Sequence, residues 1–294
     1  MLDKASAEMG AAMIKLVLTD MDMTLLPYGR PASDRALAAI HRLVDRGVCF
    51  GPASGRDWDS VLESFRGDES CMQTALLSNG KKIYAHGTLV NQTSMDRSNI
   101  VTMAEMVHDL PGVYVSGRGD RGGFISGSTY ESLMGTTWGS RRADELCEPA
   151  DIPDWPIVTA GLHFEEGSEE IDNNEWADRI RAACPKLDLI SPGSRMFDCV
   201  PKGWSKESGL RILQIILAVD ADEVVCFGDS DNDYKILSAV PHSVAVANAN
   251  DRVRAVARHH IGSCEDDAVG YALEDIADLD EGAFEKWDRA YRGA

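Results

Sequence analysis

The sequence predicts an α/β protein: a Rossmann-like core with a parallel sheet, interrupted by an inserted α+β unit. Three observations carry this. Strand-like apolar runs alternate with helical stretches over residues 13–86 and again over 193–294. Two of those runs, Leu16-Val17-Leu18-Thr19 and Val224-Val225-Cys226-Phe227, stop at clusters of aspartate, where an open α/β sheet places its chemistry. Between the two halves, residues 87–192 lose the alternation and read as short strands, glycine-rich turns and two helices.

Residues 1–12 read as a loose leader without the apolar stretch of a secretory signal. After the Asp20 turn, Ser33 caps a helix whose Leu37, Ile40 and Val44 recur at helical spacing and whose stop is Gly47. Val48-Cys49-Phe50 is a short strand running into Gly51-Pro52-Ala53-Ser54-Gly55-Arg56, and Trp58, Val61, Leu62 and Phe65 mark the next helix. Ala75-Leu76-Leu77 is a strand ending at Ser78-Asn79-Gly80, with Lys81–Ala85 as its hairpin partner.

In the inserted unit, Met103, Met106, Val107 and Leu110 predict one helix, and Trp176, Ile180 and Cys184 another. Val113–Val115, Gly122–Ser126, Ile157–Ala160, His163-Phe164 and Leu187–Ile190 read as strands. The core resumes with Phe197–Gly203, followed by a helix from Ser205 to about Leu217 and the strand Val224–Phe227. Tyr234, Leu237 and Val240 carry a helix, Val244–Val246 a strand, and Ala268, Leu273 and Ile276 the last helix; the acidic face of the remainder reads as solvated surface.

Composition narrows the function. With 29 Lys plus Arg against 48 Asp plus Glu, the formal charge is −19. Such a surface repels phosphate backbones and anionic lipid, so neither nucleic acid nor membrane is an expected partner. No apolar run approaches the ~18 residues of a spanning helix. Seven scattered cysteines without a C-x-x-C pair argue against a disulfide framework or zinc knot and fit a cytoplasmic, reducing compartment. Gly117, Gly119 and Gly122 satisfy G-x-G-x-x-G, yet Gly123–Ser128 reads as strand and turn where dinucleotide binding needs a helix. A glycine-rich hairpin is the better account.

The chemistry-bearing residues sit at strand ends. Asp20 and Asp22 would share one face of a continuing strand and repel unless cations or protons intervene. At an effective dielectric of 20, charges about 4 Å apart interact by roughly 4 kcal/mol. An Asp-rich turn after a strand is the ordinary alternative. The hydroxyl of Ser54 beside Gly55 suits an anion. Lys206 opposes the helix dipole in a first turn, which a phosphate at the helix start would resolve and a solvated lysine would equally explain. Gly228-Asp229-Ser230-Asp231-Asn232-Asp233 is oxygen-rich in the way hard cations choose, without the EF-hand spacing.

The order of these pieces resembles the haloacid dehalogenase superfamily, in particular its Cof-like branch, whose α/β cap is inserted after the third core strand. Asp20-Met21-Asp22-Met23-Thr24 is similar to the first motif of that family, Ser54-Gly55-Arg56 to the second and Gly228–Asp233 to the fourth. Lys206, rather than Lys202, fits the third because it directly precedes the amphipathic helix. Asn79-Gly80 and Asn248-Ala249 match secondary signatures, while Met23 stands where the family usually has glycine.

The resemblance implies a Mg²⁺-dependent phosphatase of a small phosphorylated metabolite, acting through an aspartyl-phosphate. It makes Asp20 the nucleophile and Asp22 the general acid and then base, entering the cycle protonated. It assigns Mg²⁺ to Asp20, the Asp22 carbonyl and Asp229, with Asp233 completing or orienting the shell. Ser54, the Gly55 N–H and Lys206 would bind phosphate, and Asn232 would position Lys206 or Ser54. These carboxylates and a phosphate dianion bring together about six negative charges, of which one Mg²⁺ and one lysine offset about three. A divalent metal is therefore an expected absolute requirement. The cap would choose the leaving group, a sugar or polyol phosphate or a glycosylated phosphate ester, through Arg118, Arg121, His163 and Glu165. A phosphomutase and a non-catalytic metabolite-binding protein are the alternatives on the same scaffold.

Overall fold

Strand β1 (Leu16–Thr19) is buried along its whole length, as a strand covered on both faces must be. The structure, a computed structural model, describes residues 13–127, 145–165, 167–193, 195–279 and 282–292; the expected leader lies outside them. β1 pairs in parallel with β2 (Cys49–Pro52) on one side and β12 (Val224–Gly228) on the other. β13 (His242–Ala245) and β14 (His259–His260) extend the sheet in parallel beyond β12. Beyond β2, a parallel bridge from Ala53 to Leu76 brings in β3 (Ala75–Leu77). Every core strand thus points its carboxyl end the same way, and the aspartate-bearing ends of β1 and β12 lie side by side.

Sequence signals and structure agree on the flanking helices. Helix α1 (Asp34–Asp45) starts where the Ser33 side chain accepts a hydrogen bond from the Ala36 N–H. It buries Ala36, Ala39, Ile40 and Leu43 and packs against α8 (Ala268–Leu279). α2 (Trp58–Ser64), α5 (Lys206–Leu217), α6 (Tyr234–Ser238) and α7 (Asp251–Val256) complete the layers on the core. No helix among the described residues is long and apolar enough to cross a membrane, and none of the seven cysteines forms a disulfide.

The second sheet has the order β10-β11-β9-β6-β7-β8. Its strands are β6 (Val113–Gly119), β7 (Gly122–Gly127), β8 (Glu145–Leu146), β9 (Thr159–Phe164), β10 (Leu187–Gly193) and β11 (Met196–Pro201). One face packs Val113, Val115, Phe124, Leu162 and Phe197 against α3 (Arg97–Val107) and α4 (Asn173–Ala183). The period of two turns Ser116, Arg118 and His163 to the other face, toward the core. Gly117, Gly119 and Gly122 belong to the β6–β7 hairpin, as the rejection of a dinucleotide fingerprint requires.

Sheet membership shifts both expected boundaries. β5 (Thr88–Gln92), placed by the sequence within 87–192, pairs with β4 (Lys82–Ala85) in the three-stranded β3-β4-β5 sheet. β11, placed in the returning core over 193–294, pairs antiparallel with β9 and β10. The apolar run of Phe197–Val200 does not by itself say which sheet it joins. The helix carried by Ala268, Leu273 and Ile276 is not the last, as expected: α9 (Gly282–Arg292) follows it and buries Ala283, Phe284 and Trp287, while its acidic Glu285 faces solvent. Its Phe284 stacks on His242 and His259 at centroid distances of 4.2 and 4.8 Å, and Trp287 sits 6.2 Å from Phe227.

The two sheets meet at the loop Ser78-Asn79-Gly80, whose three residues all have positive φ, 53°, 58° and 80°. Gly80 packs on Gly209 of α5 so closely that a Cβ on Gly209 would lie 2.9 Å from the Gly80 Cα. Glycine inside a helix ordinarily costs about 1 kcal/mol relative to alanine. Here contact reverses the sign, and Gly209→Ala should lower the free energy of urea unfolding by about 1–3 kcal/mol; a gain in stability would contradict this packing.

Next along the chain, Lys81 is fully buried and donates from Nζ to the Cys199 carbonyl at 2.6 Å, tying the hairpin to β11. Burial pushes its ammonium down to about 8, against the opposing pull of Asp198. Below pH 8 both folded and unfolded chains carry the proton, and the cost of burying the charge is present in full. Between about 8 and 10.5 only the unfolded chain carries it, so stability rises with pH. Urea unfolding of wild type relative to Lys81→Met should gain about 3 kcal/mol across that window, and a flat difference would show the buried ammonium is not strained.

Candidate active site

Asp20 follows the last residue of β1 and extends its ladder, donating from N to the Phe227 carbonyl at 3.0 Å. The chain then turns back sharply: Leu26 N–H bonds the Met21 carbonyl and Met23 N–H bonds the Leu26 carbonyl, each at 2.8 Å. That geometry puts Met23 at φ 60°, a left-handed conformation costing a non-glycine residue about 1–2 kcal/mol. The Asn248 amide donates to the Met23 carbonyl at 2.7 Å and holds the turn, which gives the Asn248-Ala249 signature a physical role.

On the adjacent strand end, Asp233 accepts from the N–H groups of Asp229 and Ser230 at 3.1 and 3.2 Å, folding the acidic loop around its own carboxylate. Thr24 Oγ1 donates to Asp229 Oδ1 at 2.9 Å, linking the two strand ends. Carboxylate oxygens of Asp20, Asp229 and Asp233 lie within 4.8 Å of one another. Lys206 Nζ stands between two of them, 2.6 Å from Asp20 Oδ1 and 2.6 Å from Asp233 Oδ1, with its side chain wholly buried. Its place in the first turn of α5 is thus explained by two carboxylates across the helix start. Lys202, the other candidate, pairs with Asp188 on the surface.

The crowding shows in the electrostatics. Burial, then the neighbouring Asp233 and Asp229, push the Asp20 carboxyl up to about 8 against the pull of Lys206. Burial and Asp233 push Asp229 up to about 6. Burial works to lower Lys206, and Asp20 and Asp233 more than reverse it, so its ammonium is held above the usual range. Three carboxylates sharing one small volume with one ammonium are an oxygen donor set that a hard divalent cation fits, and such a cation returns them to the charged form.

Ser54 is buried beside this cluster, its carbonyl taking the Asn79 N–H at 2.9 Å and its Oγ taking the Arg56 N–H at 3.2 Å. Asp22 departs from expectation. Its carboxylate is gripped by Arg56, with Nε donating to Oδ2 at 2.8 Å and Nη2 to Oδ1, while Ser64 Oγ anchors the same guanidinium. Asn232 lines the cavity over this cluster, and its Oδ1 accepts from Ser230 Oγ at 2.8 Å.

A cavity of about 920 Å³ spans the two sheets over this cluster, lined by Asp20, Asp22, Ser54 and Gly55 below and by Arg118 and His163 above. Arg121 and Glu165, expected with them, do not line it. Arg121 is exposed in the β6–β7 turn, and Glu165 hydrogen-bonds Tyr114 at the far end of β9. Strand geometry separates the pairs, because Arg118 and His163 face the core while the other two lie beyond the strand ends. His163 Nε2 is 2.8 Å from Ser116 Oγ, and its ring stacks on Tyr114 with centroids 4.6 Å apart.

Sequence reasoning gave no role to Arg56, Thr24 or Asp198. The first two lie inside quoted motifs. Asp198, which accepts from Asn79 Nδ2 at 2.9 Å, had no local signal because its partner is 119 positions away.

Acidic clusters at the carboxyl ends of two neighbouring parallel strands, a buried lysine joining them, and a second sheet closing over the cavity define a phosphoric monoester hydrolase of the capped α/β kind. The chain belongs to the haloacid dehalogenase-like hydrolase family, whose model matches residues 17–273. Asp20, Asp229 and Asp233 form the Mg²⁺ site of such an enzyme. The chain is 26% identical over 258 residues to the 5-amino-6-(5-phospho-D-ribitylamino)uracil phosphatase YbjI of Escherichia coli, covering 85% of this chain and 91% of the relative. It is 26% identical over 271 residues to the HMP-PP phosphatase of Klebsiella pneumoniae, covering 89% and 95%. Among solved structures, the Streptococcus mutans protein SMU.1108c superposes with a TM-score of 0.75 at 21% identity, covering 89% of this chain and 98% of that one.

Proposed function

We propose that this chain hydrolyses the phosphate ester of a sugar or polyol, with Asp20 as nucleophile. The observation that carries the assignment is the buried contact of Lys206 with Asp20 and Asp233 beside the Ser54 loop, which leaves Asp20 facing a pocket built for an anion. Ser54, the Gly55 N–H and Lys206 hold the phosphoryl oxygens. An Asp20 oxygen attacks phosphorus in line, the ester P–O bond breaks, and the departing oxygen takes a proton from Asp22. Asp22 then removes a proton from water, which attacks phosphorus and frees the Asp20 carboxylate and inorganic phosphate.

Asp20 and Asp229, oriented by Asp233, are the residues to hold Mg²⁺, which when bound offsets the charge developing on phosphate. Asp22 reaches the leaving oxygen by exchanging its Arg56 contact for the substrate. The leaving-group reading is supported by the polar lining above the pocket, Ser116, Arg118, Thr159 and His163, and by the phosphorylated ribityl chain in the name of the Escherichia coli relative.

The test is phosphate release from a panel of sugar and polyol phosphates, with acetyl phosphate as a permissive substrate. Asp20→Asn should lower turnover by more than about a thousandfold, and full chelation of divalent metal should abolish it. Undiminished metal-dependent turnover in Asp20→Asn, or activity surviving complete metal removal, would overturn the assignment.

A further inference from the structure

Asp198 is a carboxylate in an improbable place. It sits on β11, in the second sheet, yet its Oδ2 lies 2.9 Å from where a Cβ on Gly55 would be, directly over the glycine of the anion-binding loop. A negative group there works against phosphate binding, and its burial is itself unfavourable. Desolvation raises the Asp198 carboxyl above the usual range, with Asn79, Lys81 and Lys206 opposing. Among the described residues its hydrogen bond comes from Asn79 Nδ2, and a carboxylate has about four acceptor positions. Asp198 is also part of the cavity wall.

The neighbours on the same sheet face fit that capacity. Across the strand pair Asp198 stands opposite Gly161, and Gly161 opposite Ser116. Gly161 carries no side chain, and His163 leans over it, so that a Cβ there would meet His163 Nε2 at 2.7 Å. The Ser116–His163 pair and Asp198 therefore flank one small patch above the Ser54-Gly55 loop. A phosphate seated on that loop brings the first atoms of its leaving group to this patch.

We infer that Asp198 is a specificity residue: its carboxylate accepts a hydrogen bond from the leaving-group hydroxyl nearest the phosphoester, selecting substrates that carry a donor there. The inference rests on the phosphatase reading above. Asn79 fixes one oxygen and thereby aims the other. Because the Asn79 main chain also holds the Ser54 carbonyl, the hydroxyl acceptor and the phosphate loop are set by one residue.

The experiment compares kcat/KM for ribitol 5-phosphate, its 4-deoxy analogue and acetyl phosphate in wild type and Asp198→Asn. The amide oxygen of the variant can still satisfy Asn79, but it then presents a donor instead of an acceptor to the substrate. The ratio of ribitol 5-phosphate to acetyl phosphate should fall about 10- to 100-fold in Asp198→Asn. Wild type should lose a similar factor on the 4-deoxy analogue, a comparison independent of how any variant folds, and the variant should no longer distinguish the two. A parallel fall on ribitol 5-phosphate and acetyl phosphate would make Asp198 only a strut between the sheets and overturn the inference, as would an unchanged ratio. Wild type releasing phosphate from none of the three would instead remove the phosphatase reading, and the inference with it.

Discussion

The ammonium of Lys206, buried and 2.6 Å from both Asp20 and Asp233, is the contact on which the rest of the site depends. Moving one such ion out of water costs several kcal/mol, and only close partners of opposite sign repay it. Here the partners come from three separate stretches of chain: the end of β1, the loop after β12 and the start of α5. The pair therefore does what no local motif does, which is to fix the relative position of a nucleophile candidate and a metal-binding loop. Removing the ammonium would leave Asp20 and Asp233 uncompensated at the sheet's carboxyl edge.

A second constraint acts where the sheets meet. The loop Ser78-Asn79-Gly80 runs through left-handed conformations at all three residues, and tertiary contacts hold it there. Trp204 Nε1 bonds the Asn79 carbonyl at 3.2 Å, Asp198 takes its amide, and Lys81 grips the next residue of β11. Two consecutive residues of β11 are thus tied to the segment that supports Ser54. The second sheet cannot shift relative to the core without disturbing the Ser54-Gly55 loop, which couples the position of the cavity's upper wall to its lower one.

Much of this was readable in sequence because it is local. The apolar runs of β1 and β12, the Ser33 cap and the Asp-rich ends depend on neighbours within a few residues, so period and spacing identify them. What escaped depends on distant partners. Phe197–Val200 has the same apolar character whichever sheet it joins, and only pairing with β9 and β10 decides. The contact of Asp22 with Arg56, 34 positions on, left no mark in the local sequence. Arg121 and Glu165 shared the turn-like surroundings of Arg118 and His163, but strand direction put only the latter pair over the core.

The last helix lies beyond residues 17–273 that the family model matches, and the sequence placed the final helix one element earlier. Yet Phe284 stacks on both His242 and His259, and Trp287 abuts Phe227, two residues before Asp229. The flank of the strand that presents a metal ligand is therefore plastered by a segment outside the part of the chain that the family model matches. Trimming the chain to that part would bare the aromatic seam to water, leaving the acidic loop on an unsupported strand although every motif residue were still present.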